Sequence, residues 1–112
     1  MSVSLGEFAN AQQDWSYKTF GPPEARGPKG ALNHLAKEAK EAADEVDSGD
    51  KEKLLLELAD CLFLVVDATH RAGFWVTDLL SASMKKLDIN KERVWRDWRE
   101  LKDGEPSEHI KS

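Results

Sequence analysis

Between Leu54 and Ala68 the chain reads LLLELADCLFLVVDA, in which twelve of fifteen residues are apolar and the other three are Glu57, Asp60 and Asp67. The run is too short to span a bilayer, which takes about 20 apolar residues. It therefore reads as a helix, apolar nearly all round, that other helices must cover. A carboxylate placed in such surroundings costs several kcal/mol unless its charge is compensated, and no Lys or Arg stands within the run. Whatever balances these charges is expected to define what the protein does.

The flanking sequence supplies the covering helices. Ser4 and Glu7 have the spacing of a capping box, which predicts a first helix over residues 5–19. Glycines and prolines at 21, 22, 23, 27, 28 and 30 mark a loop. Residues 32–46 are rich in Ala, Glu and Lys, strong helix formers, and predict a second helix ended by Ser48-Gly49. Asp50 can cap the third, over 51–71, which stops at Gly73. A fourth starts near Thr77-Asp78, with continuation or a restart through residues 91–98. No stretch alternates as a strand does. The expected fold is all-α, a bundle of four to five helices forming one domain over residues 1–102, with a flexible tail at 103–112.

At 112 residues, three further helices can hardly cover the third on every side, so a homo-oligomer is expected, most simply a tetramer of dimers. The net charge of −5 argues against nucleic acid or a membrane surface as a partner. Cys61 is the single cysteine, which excludes an internal disulfide and suits a reducing compartment. It reads as a small buried side chain. With no basic, then apolar N-terminal segment, a cytoplasmic location is expected.

On a helix, positions three, four and seven apart share a face. Glu57, Asp60, Leu64 and Asp67 form one stripe, and Glu38, Glu41 and Glu45 form another on the preceding helix. The short connection at 47–50 makes the two helices antiparallel neighbours. If the stripes face each other, several carboxylates converge, and their repulsion is relieved by divalent cations. All-oxygen ligation favours Mg²⁺ or Mn²⁺ over zinc or copper. A di-iron bundle is disfavoured, because it wants two Glu-x-x-His pairs and the chain has only Asp67-x-x-His70.

Glu38-x-x-Glu41, fifteen residues, then Glu57-x-x-Asp60 resembles the signature of the MazG-like all-α nucleoside triphosphate pyrophosphohydrolases. W-x-x-x-T-F-G-P at 15–22, G-P-x-G at 27–30, H-L-x-K-E at 34–38, R-A-G at 71–73 and K-x-x-x-N-x-x-R-x-W at 86–95 are similar to the dATP/dGTP pyrophosphohydrolase branch, often found in bacteriophage. One departure is Trp75, where a smaller or polar residue is expected. The resemblance implies hydrolysis of a purine deoxynucleoside triphosphate at the α-phosphorus, giving the monophosphate and pyrophosphate, in the host cytoplasm if the chain is phage-encoded. It implies two to three Mg²⁺ or Mn²⁺ ions held by Glu38, Glu41, Glu57 and Asp60, with Glu41, supported by Glu38, polarising the attacking water.

Lys86, Asn90 and Arg93 share one face if the fourth helix extends that far, and as point charge, amide and planar fork they suit triphosphate oxygens. Trp15, beside Phe20 at the first loop, and Asn33 and His34, just before Glu38, are candidates for the base and sugar. Trp95 and Trp98 are expected to pack the fourth helix, and His70 to be structural. Two other readings stay open on the residues alone: a non-catalytic helical interaction module, and a phosphohydrolase that attacks the terminal phosphate.

Overall fold

Ser4 accepts a hydrogen bond from the Glu7 amide at 3.0 Å and opens helix α1, Leu5–Phe20, in the computed structural model, which describes residues 2–111. Such a cap contributes about 1 kcal/mol. Helix α2 spans Lys29–Val46 and begins at Pro28 without a side-chain cap. Asp50 caps helix α3, Lys51–Arg71, by accepting from the Lys53 amide at 3.1 Å. Helix α4 spans Val76–Glu92, and a single 3-10 turn follows at Trp98–Glu100. Among the described residues there is no strand; Trp95 and His109 form one isolated antiparallel bridge. The chain is all-α, as its periodicity predicts.

Gly21, Gly49 and Gly73 end α1, the α2–α3 turn and α3 with φ of +96°, +76° and +91°, values that side chains bearing a Cβ rarely adopt. The turn at 47–50 sends α3 back along α2. Residues 38 and 57 stand nearly equally far from it in opposite directions, so the helix pair places them side by side.

The contacts divide the chain into two units, one ending at Leu79 and the other beginning at Leu80. In the first, α3 packs against α2 and, less extensively, α1. Its buried apolar side chains are Ala9 of α1, Ala42 of α2 and Leu64, Val66 and Ala68 of α3. This core is small because only the C-terminal half of α3 is enclosed. Leu55, Leu56, Leu58 and Leu62, in the run that was expected to be covered, remain 67%, 68%, 51% and 45% exposed. No helix is long and apolar enough to cross a membrane.

In the second unit α4 ends at Glu92, so the helix does not continue through residues 93–98. The chain then turns, and the Ile110 amide donates to the Val94 carbonyl at 2.6 Å. Trp95 donates its indole N–H to the Asn90 carbonyl at 2.8 Å and meets His109 edge-on. Trp98 is 72% exposed and lies under the Arg99 guanidinium rather than packing on the helix.

Candidate active site

The two carboxylate stripes converge only in part. Oxygens of Glu38 and Glu41 on α2 and of Glu57 on α3 lie within 4.8 Å of one another, a group able to hold a metal ion. Glu45 is turned toward the helix end, where it accepts from the Ser48 hydroxyl at 2.6 Å. Asp60 is exposed and stands outside the close trio, yet it lines the same cleft as Glu38.

Oε2 of Glu57 is buried without a hydrogen-bond partner. The Glu38 carboxylate against it, burial, and the charges of Glu38, Glu41 and Asp60 push the Glu57 carboxyl above its ordinary range. Glu38 moves the other way: its contact with Glu57 outweighs burial, and the His34 imidazole, 3.0 Å from its Oε1, adds to the lowering. The two shifts oppose each other across the pair, so the charge of one carboxylate is held at the expense of the other. A cation between them would relieve that conflict.

Asp67 lines the same cleft as Glu38 and Asp60, but its carboxylate is taken up by a network of its own. Its Oδ1 accepts from Gln12 Nε2 at 2.8 Å and from the Ser16 hydroxyl at 2.5 Å, and its Oδ2 accepts from Arg71 Nε at 2.8 Å. The expectation that Asp67 extends the carboxylate stripe is thus corrected, because α1 crosses α3 there and Arg71 lies one turn on. Arg71 also donates through Nη1 to the carbonyls of Gly21 and Arg26, both at 2.9 Å, and through Nη2 to Ser16. One buried arginine thereby ties the α1–α2 loop to α3. Gln12 gives its amide N–H to Asp67, so its oxygen faces His70 and accepts from Nδ1 at 3.2 Å. His70 is thus buried against α1.

Between the loop, α2 and α3 lies a cleft of about 480 Å³. Trp15, Phe20 and Phe63 form one wall, with Trp15 edge-on to Phe20 at 5.3 Å and to Phe63 at 5.7 Å. His34, Glu38 and Asp60 form another, and Arg26, Gly27 and Gly30 close the loop end. Trp15 and His34 thus line the same cleft as Glu38 and Asp60. Asn33 is exposed and outside this lining. Phe63 and Arg26 line the cleft as well, without a signal in the sequence. Phe63 was hidden in an apolar run; Arg26 stands in a loop, where helical periodicity carries no signal.

Lys86 and Asn90 lie on α4, and Arg93 is the residue after its end, not on its face. The trio still makes one local contact, with Arg93 Nη1 donating to Asn90 Oδ1 at 3.1 Å.

The first unit is all-α and sets facing carboxylates beside an aromatic cleft. The sequence model of the dATP/dGTP pyrophosphohydrolase family matches residues 8–112. The chain belongs to that family. It is also 48% identical over 98 residues to the Eaa protein of Salmonella phage P22, a match covering 88% of this chain and 27% of that relative. The chain thus spans about a quarter of its relative's length. No solved structure matches.

Proposed function

We propose that the protein is a cation-dependent pyrophosphohydrolase that converts a purine deoxynucleoside triphosphate to the monophosphate and pyrophosphate. The observation that carries this reading is the Glu38–Glu41–Glu57 group, whose buried Glu57 Oε2 has no partner, opening beside an aromatic cleft. Three carboxylates and no nitrogen or sulfur donor suit a hard divalent cation, Mg²⁺ or Mn²⁺. Glu38, Glu41 and Glu57 would hold it, with Asp60 reaching in from the same cleft. When bound, the cation neutralises phosphate charge and acidifies a water molecule.

The chain's own residues then have distinct tasks. Glu41, the exposed member of the trio, accepts the proton of the attacking water. His34, hydrogen-bonded to Glu38, orients that carboxylate. As oxygen from water bonds to the α-phosphorus, the bond to the bridging oxygen breaks and pyrophosphate leaves. Lys86, Asn90 and Arg93 are proposed to bind triphosphate oxygens, a role that supports departure of the added negative charge. Trp15 supplies a flat face for the base.

We further propose that the protein works as a homo-oligomer, a tetramer being the simplest form, because the exposed leucines of α3 call for a second copy. The deciding assay incubates dATP and dGTP with the protein in Mg²⁺, in Mn²⁺ and in EDTA, and identifies the products. Monophosphate and pyrophosphate, formed only with metal, are expected. Diphosphate and orthophosphate would instead assign attack at the terminal phosphate.

A further inference from the structure

Arg26 lines the cleft, and its side chain has no hydrogen bond or ion pair with any described residue. Its backbone is nonetheless anchored. Its carbonyl is gripped by buried Arg71 at 2.9 Å, and Arg71 is held in turn by Asp67. Its guanidinium rests over the bare backbone of Gly30, where an added Cβ would come within 3.1 Å of Nη2. A side chain at position 30 would push it aside by a few tenths of an ångström.

The cleft runs along α2 from Gly30 past His34 to Glu38. Eight residues of helix at 1.5 Å each separate Gly30 from Glu38 by about 12 Å, the scale of one nucleotide. The acidic end attracts the cation and phosphates. The Arg26 end shares the cleft with the rings of Trp15, Phe20 and Phe63, a setting for a planar base.

We propose that Arg26 reads the nucleobase and selects guanine over adenine, an inference that rests on the pyrophosphohydrolase reading. A guanidinium only donates hydrogen bonds. Guanine presents two adjacent acceptors, N7 and O6, which match the two-pronged donor. Adenine presents N7 beside an N6 amine, which opposes a donor with a donor.

The test measures kcat/KM for dGTP and dATP with wild type, Arg26→Ala and Arg26→Gln, and binding of dGMP and dAMP by calorimetry. Wild type is expected to prefer dGTP and to bind dGMP more tightly than dAMP. Arg26→Ala should shrink the dGTP:dATP ratio about tenfold or more. Arg26→Gln, whose amide matches adenine N7 and N6, should move the ratio further toward dATP. An unchanged ratio in both variants, or a wild type that prefers dATP, overturns the inference. Equal loss for both triphosphates, with monophosphate binding untouched, also overturns it, by assigning Arg26 to the phosphates. If wild type hydrolyses neither nucleotide yet binds dGMP in an Arg26-dependent way, base selection stands and the hydrolase reading falls. Hydrolysis of neither triphosphate together with binding of neither monophosphate removes both.

Discussion

Glu38 and Glu57 face each other across the α2–α3 interface with carboxylate oxygens within 4.8 Å, and Glu57 Oε2 is buried there without a hydrogen-bond partner. Two carboxylates held this close destabilise the helix pair unless a proton or a cation lies between them. The fold therefore stores its ligand preference as a local conflict.

Glu57→Gln removes that conflict while keeping the shape of the side chain. In EDTA this variant should melt at or above the wild-type temperature. Wild type should gain stability on adding Mn²⁺, by mass action, and the variant should gain much less. Hydrolysis should be largely lost. Calorimetric melts with and without Mn²⁺ provide the check; a variant that melts lower in EDTA and still responds fully to Mn²⁺ would contradict the cation reading.

Asp60 lies exposed at the cleft, so Asp60→Asn should leave the metal-free melting temperature unchanged. Its effect should appear in turnover alone. Clear destabilisation in EDTA with full activity would make Asp60 a structural residue.

Arg71→Ala should be severe. It leaves the buried Asp67 carboxylate without its cation and frees the carbonyls of Gly21 and Arg26. Breaking a buried pair in this way costs about 3–5 kcal/mol. Urea unfolding should show the loss, and limited proteolysis should cut first in the loop at 21–28.

Acid should weaken the same network. Burial raises the Asp67 carboxyl, but hydrogen bonds from Ser16, Arg71 and Gln12 outweigh it and leave it below its ordinary 3.8. Burial lowers His70 below its ordinary 6.5, against the opposing pull of the Asp67 charge. Both folded values are depressed, so the unfolded chain takes up protons first and stability falls as pH falls. The His70 contribution is complete above 6.5 and is lost as pH drops below it; the Asp67 contribution is complete above 3.8 and is lost below that. Melting temperature measured from about pH 7 to about pH 5 should decline in wild type and more gently in His70→Gln.

The exposed leucines predict assembly. Light scattering at micromolar concentration should report a species larger than the 12.6 kDa chain. Leu55→Glu with Leu58→Glu should shift it toward monomer, because each buries a charge against the partner's apolar surface. A wild-type monomer would end the oligomer proposal.

Much of this was written locally. The capping residues Ser4 and Asp50 act on amides three positions away, so helix starts could be read from the sequence, and the bounds of α3 agree with those expected. The short turn at 47–50 likewise made α2 and α3 antiparallel neighbours, so that their carboxylate stripes could meet, and three of those carboxylates do. What periodicity could not assign was the partner of each carboxylate. Glu57 and Asp67 are ten positions apart on one helical stripe, yet the first is covered by α2 and the second by α1. Only the crossing of α1 over α3 turns Asp67 into an anchor for Arg71 and leaves Glu57 with an open valence. The same crossing places Arg26 at the cleft, because a loop residue has no helical phase and takes its position from the buried arginine that holds its carbonyl.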